Sequence, residues 1–121
     1  MITELSTTAR KYFQEKGLSY ENITSGDICV LVMILNKHLK IAIKENKTPT
    51  KMYMSEKIDF KYKPNGTLKE GYLYVNSQYF RQREAISFNS DGFIGFCGWA
   101  DDRNTPIIVN AFIEWCDTIY H

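Results

Sequence analysis

Histidine is almost missing from this sequence: His38 and His121 are the only two, and His121 is the last residue. An imidazole base for a nucleophile has to come from one of them. Cysteine is scarce as well. Cys29, Cys97 and Cys116 are an odd number, have no C-x-x-C spacing, and sit beside apolar residues. That pattern reads as buried free thiols in a reducing cytoplasm. No apolar run approaches the ~20 residues of a membrane span, so no membrane association is expected. The opening "MITELSTTAR" lacks the apolar core of a signal peptide. Internal repeats, linkers and low-complexity segments are also missing, so residues 1–121 read as one domain.

What is present is aromatic and unevenly charged. The formal net charge is only +1, yet residues 37–83 hold eleven Lys/Arg against four Asp/Glu. The remainder holds four basic residues against ten acidic ones. A local +7 thus faces a −6 elsewhere in the chain.

The apolar periodicity starts as helix. Ile2, Leu5, Ala9 and Phe13 share one face of a helix over 3–16, with Gly17 as a left-handed cap and Leu18 placed to pack back on Phe13. Thr24 and Asp27 have capping-box spacing, and Ile23 and Ile28 have that of a hydrophobic staple. A second helix is expected over about 25–45. Its first half, "ICVLVMIL", is apolar all round, so it is buried on most sides, in its own core or against a second copy. In its second half Leu35, Leu39 and Ala42 face inward and Lys37, Lys40 and Lys44 outward, although "LKIAIK" also alternates like a strand. Pro49 ends the element.

From about 51 to 99 the period becomes two. Ile58, Phe60 and Tyr62 alternate with Lys57, Asp59 and Lys61, leading into a Pro64-Asn65-Gly66 turn. "GYLYV" is the return strand, followed by one near Gln78–Arg81 or running into "EAISF". "NSDG" makes the next turn, with Gly92 at positive φ. Phe93–Trp99 then forms a strand, with Phe93, Cys97 and Trp99 on one face and Ile94 and Phe96 on the other. Gly95 and Gly98 allow close approach there. Thr105 caps a last helix over about 106–119, with Pro106 in its first position and Ile108, Ala111, Phe112, Trp115 and Ile119 in a stripe widened by Val109 and Ile113. The fold class expected is α+β: two N-terminal helices, an antiparallel β-meander of about four or five strands, and a C-terminal helix packed on the sheet.

The chemical motifs fall short. Gly92-x-x-Gly95-x-x-Gly98 has neither the dinucleotide spacing nor a Walker lysine. "DGFIGFCGW" blurs the aromatic strand of RNA-recognition domains, but Asp91 stands where a basic residue is needed. Gly95-Phe96-Cys97-Gly98 echoes a nucleophile elbow with its second glycine one residue early, and Cys97 would need His38 as its base. Asp91, Asp101 and Asp102 offer oxygen ligands without the spacing of a cation loop. No catalytic residue, metal or cofactor is assigned, and the expectation is that the protein is not an enzyme.

The strongest functional signal is the basic aromatic middle. Lys57, Lys61, Lys63 and Lys69 are interleaved with Tyr62, Tyr72, Tyr74 and Tyr79, and Arg81 and Arg83 alternate so that both face one way. Two guanidiniums on one face suit a phosphate or carboxylate. Together with Trp99 and the loop residues Arg103 and Asn104, these are the candidate ligand- or partner-binding residues.

The segment "DGFIGFCGWADDRNTPIIVNAFIEWC", with the chain length and the Lys/Ile/Asn-rich α+β composition, resembles small phage- or prophage-encoded accessory proteins of low-GC Gram-positive bacteria. The resemblance implies a protein that acts without catalysis in the cytoplasm of a bacterial host, and the all-round apolar "ICVLVMIL" with the broad stripe of the last helix adds the expectation of a homo-oligomer. Such a protein would inhibit a host defence factor, as anti-CRISPR proteins do, or sequester a phosphorylated signalling nucleotide in a Tyr/Arg-lined pocket. The partner is then a host protein or a phosphorylated nucleotide.

Overall fold

The computed structural model describes the chain except residues 1, 46–51, 54–57, 78–82, 90–91, 97–104 and 121. For residues 2–6, 52–53, 58, 76–77 and 83–84 it describes the backbone only. The elements run α1 (Ile2–Glu15), α2 (Ser25–Lys44), β1 (Met52–Tyr53), β2 (Ile58–Tyr62), β3 (Leu68–Ser77), β4 (Arg83–Phe88), β5 (Ile94–Phe96) and α3 (Thr105–Ile119). A single 3-10 turn, Tyr20–Asn22, joins α1 to α2. The architecture is α+β, as the order of periodicities predicts.

The helix ends follow their cap chemistry. Gly17 has φ 72°, its N–H donates to the Gln14 carbonyl, and the Leu18 N–H donates back to that of Phe13. This is a Schellman ending. At α2, the Thr24 side chain accepts from the Asp27 N–H while the Asp27 carboxylate accepts from the Thr24 N–H. Ile23 and Ile28, the staple pair, are both fully buried. The strand-like alternation of "LKIAIK" does not prevail, because the helix buries Leu35, Leu39 and Ala42 together and leaves Lys37, Lys40 and Lys44 outside. The helix α3 begins one residue earlier than expected, at Thr105, which is itself fully buried.

The sheet is an antiparallel meander through β2, β3, β4 and β5, with β1 pairing the far end of β3 at Met52↔Ser77 and Tyr53↔Asn76. Both turns take their expected form. In the first, the Gly66 N–H donates to the Lys63 carbonyl and the Lys63 N–H to that of Thr67, with Gly66 at φ 88°. In the second, Asn89 and Phe93 close the loop through Gly92 at φ 87°. Of the strand expected over Phe93–Trp99, Ile94–Phe96 is described as strand, and residues 97–99 lie outside the described residues. Gly95 does admit a close neighbour: a Cβ there would stand 2.6 Å from the Ser87 hydroxyl oxygen.

Helices and sheet form two layers. Leu73, Val75, Ile86, Phe88 and Ile94 join the buried residues of all three helices in one core. The opposite sheet face carries exposed Asp59, Lys61 and Tyr72. In the core, Trp115 of α3 lies against Phe13 of α1 (ring centroids 6.4 Å apart), Phe88 of β4 (6.2 Å) and Phe112 (5.4 Å). Its indole N–H donates to the Asp27 carbonyl of α2 at 2.8 Å. The core row Phe60–Gly71–Phe88 crosses three strands, and the two phenylalanine rings meet 5.9 Å apart. A Cβ on Gly71 would stand 2.2 Å from the Phe60 ring and 2.8 Å from the Asp59 carbonyl oxygen.

Surface ties hold α3 to both other helices. Asp117 accepts from the Tyr12 hydroxyl at 2.6 Å and pairs with Lys16 at 3.2 Å. Glu114 pairs with Lys37 and His38 of α2. Hydrogen bonding from Tyr12, then Lys16, lowers the Asp117 pKa, and hydrogen bonding from Lys37, then His38, lowers that of Glu114.

Two outcomes follow. Gly71→Ala, which forces the Phe60 ring or the β2 backbone to move, should lower the unfolding free energy by about 1–3 kcal/mol in urea titration. Because both carboxylates have lowered folded-state pKa values, their stabilisation is complete above the ordinary carboxylate range. It is lost as pH falls through the lower folded values. Unfolding titrations over a pH series should therefore show a shallower acid-side decline for the Glu114→Gln/Asp117→Asn variant than for the wild type.

Candidate functional site

The Schellman ending of α1 reverses the chain and sends residues 18–23 across one end of the molecule. The Leu68 N–H donates to the Ile23 carbonyl at 2.8 Å, and Thr24 bridges Thr67, which seats this segment on the β2–β3 hairpin. The β4–β5 turn comes up beside it. Between them is a cleft of about 530 Å³ lined by Arg10, Phe13 and Gln14 of α1, Leu18–Glu21, Lys63 and Lys69 flanking the hairpin turn, and Gly92 and Ile94.

Phe13 and Ile94 are nearly fully buried and, with Leu18, give the cleft apolar surface. The charged groups arrive from separate elements: Arg10 from α1, and Lys63 and Lys69 from either side of the 63–67 turn. The Arg10 guanidinium is held in place. Its Nη1 donates to the Ile94 carbonyl at 3.0 Å, and its carbon lies 4.9 Å from the centroid of the Phe93 ring. Tyr20 is held too, its hydroxyl donating to the Phe93 carbonyl at 2.9 Å and its ring edge-on to Phe88 at 6.0 Å. Among the described residues, the side chains of Lys63 and Lys69 have no hydrogen-bond or ion-pair partner. Two free ammonium groups and one fixed guanidinium beside apolar surface suit an amphipathic organic anion.

A smaller recess of about 360 Å³ lies between Lys16, Leu18, Asn22, Ile119 and Tyr120. Its one cation, Lys16, is already paired with Asp117 and lies against the Tyr12 and Tyr120 rings.

The candidate residues do not form one pocket. Tyr72 and Tyr74 share the open sheet face, their rings 6.2 Å apart. Tyr62 packs on the other face against the core, where burial raises its pKa. The alternation along β2 explains the division: Asp59 pairs with Tyr72 on the open face, whereas Tyr62 shares the face of Phe60 and pairs with buried Leu68. Arg83 lies in β4 opposite Val75. Tyr79, Arg81, Trp99, Arg103 and Asn104 lie outside the described residues, as do Asp91, Asp101, Asp102 and Cys97. Sequence reasoning reached Lys63 and Lys69 but missed Arg10, Tyr20 and Glu21. The legible signal was Gly17, whose chain reversal brings the segment after α1 toward the hairpin.

His38 is committed to Glu114, its Nε2 3.2 Å from Oε1. No cluster of three metal-ligating side chains occurs among the described residues. No helix among them is long and apolar enough to cross a membrane. The expectation of buried thiols needs correction at Cys29, which is exposed because α2 turns its neighbour Ile28 into the core. Cys116 is buried, and burial pushes its pKa up to about 12. An alkylating reagent on the folded protein, followed by peptide mass mapping, should label Cys29 and leave Cys116 unmodified until denaturant is added. Compared with known proteins, the chain matches no family model, no curated protein and no solved structure.

Proposed function

We propose that this is a non-enzymatic binding protein that holds a phosphorylated nucleotide in the cleft between Arg10, Tyr20, Lys63 and Lys69. The observation that carries the reading is the convergence of three cations on one apolar-floored cleft, two of them uncommitted. The cleft volume lies in the range of small-molecule sites, roughly 300–1,000 Å³. Phosphate would take the cations, and the base or sugar would cover Phe13, Leu18 and Ile94. With the resemblance to phage accessory proteins, the biological role is sequestration of a signalling nucleotide in the bacterial cytoplasm.

A second reading, inhibition of a host defence protein, draws on the open sheet face. There the exposed Tyr72 and its neighbour Tyr74 form an aromatic pair beside Asp59 and Lys61. Assembly into a homo-oligomer is part of both readings. Met33 is 70% exposed and Ile41 49% exposed on the outer side of α2, with Cys29 beside them, and this is the surface a second copy would cover.

Native mass spectrometry of freshly purified protein tests the reading. The expected spectrum shows a multimer carrying one nucleotide-sized mass per cleft. Lys63→Ala/Lys69→Ala should leave the melting temperature unchanged, lose that mass, and weaken nucleotide binding about tenfold or more. A bare wild-type protein that binds no added nucleotide overturns the cleft reading and sends the search to a host protein captured through Tyr72 and Tyr74.

A further inference from the structure

Glu21 is out of character with the rest of the cleft. It is an exposed carboxylate on a rim otherwise supplied with cations, and among the described residues it has no hydrogen-bond or ion-pair partner. It follows Tyr20 in the 3-10 turn, whose ring and hydroxyl are fixed on Phe88 and Phe93, so its place on the rim is set by its neighbour.

Two effects follow from a free carboxylate there. The first is charge. Among the described lining residues, Arg10, Lys63 and Lys69 bring three positive charges and Glu21 removes one. The remainder matches a phosphate monoester, which carries about −1.5 to −2 at neutral pH. A di- or triphosphate chain brings more negative charge than these groups balance, with the Glu21 carboxylate lining the same cleft. The second is hydrogen bonding. An ionised carboxylate only accepts, so it is satisfied by a ligand that donates: a ribose hydroxyl or the amino group of a base. Gln14 and Ser19 line the same cleft and offer both donors and acceptors.

We infer that Glu21 is a specificity-determining residue, and that the cleft selects a nucleoside monophosphate over the corresponding di- and triphosphates. The phosphate sits on the cations and a hydroxyl or amino donor of the nucleoside meets the Glu21 carboxylate. This rests on the reading that the cleft binds a phosphorylated nucleotide.

The test is isothermal titration of wild type and Glu21→Gln with the mono-, di- and triphosphates of adenosine, guanosine and uridine at fixed ionic strength. Circular dichroism melting establishes that the variant is folded. Attraction to cations alone ranks the triphosphate tightest. The expected result is a wild type that binds at least one monophosphate as tightly as, or more tightly than, its triphosphate. Glu21→Gln should shift the preference toward the triphosphate by about fivefold, the size of one exposed charge interaction. Triphosphates tightest in the wild type, or a monophosphate-to-triphosphate affinity ratio that Glu21→Gln leaves unchanged, overturns the selection while the cleft reading stands. Binding of none of the nine nucleotides overturns the cleft reading and the selection together.

Discussion

The indole of Trp115 is the interaction on which the rest of the structure depends. A buried Trp N–H without a partner would cost about 1–3 kcal/mol, so the ring is confined to places where an acceptor is available. Here the acceptor is the Asp27 carbonyl in the first turn of α2. That one bond sets how far α3 slides along α2. The ring faces then set the rest, because Phe13, Phe88 and Phe112 pack around it from α1, β4 and α3. Each aromatic pair contributes about 0.5–1.5 kcal/mol beyond its area, and all three share one ring. Asp27 joins this hub to the capping box, since its backbone carbonyl holds Trp115 while its carboxylate and N–H close the box with Thr24.

The cleft is a by-product of that frame. With α1 held against α3 by Phe13 and Asp117, its C-terminal end has one place to stop, and the Schellman turn sends the chain over the hairpin end. Arg10 then serves two purposes. It covers the edge strand β5 by bonding the Ile94 carbonyl, which blunts a site of unwanted strand pairing. It also holds a fixed positive charge at the mouth of the cleft. Such a group is pre-organised for an anion, because its orientation is already set before the ligand arrives.

The charge asymmetry of the sequence takes on a different meaning once folded. The basic stretch is not one surface. Lys37 and His38 meet Glu114, Lys61 meets Glu70 on the open sheet face, and Lys63 and Lys69 stand at the hairpin end beside Arg10 from the acidic remainder of the chain. The cleft therefore draws on both charge regions, which segment totals do not show.

The sequence by itself determined the elements and their ends. Thr24 with Asp27, Ile23 with Ile28, Gly17, Pro64-Asn65-Gly66 and Gly92 act within a few residues of themselves, through caps and turns whose geometry needs no distant partner. The inward stripes of α2 and α3 were legible for the same reason, since a period of 3.6 is local. Tertiary structure decided what depends on relative placement. It turned Cys29 outward, gave Trp115 its acceptor 88 residues away, and brought Arg10, Tyr20 and Glu21 to Lys63 and Lys69. These are long-range contacts, fixed by how three helices and a sheet fill one core, and no local pattern encodes them.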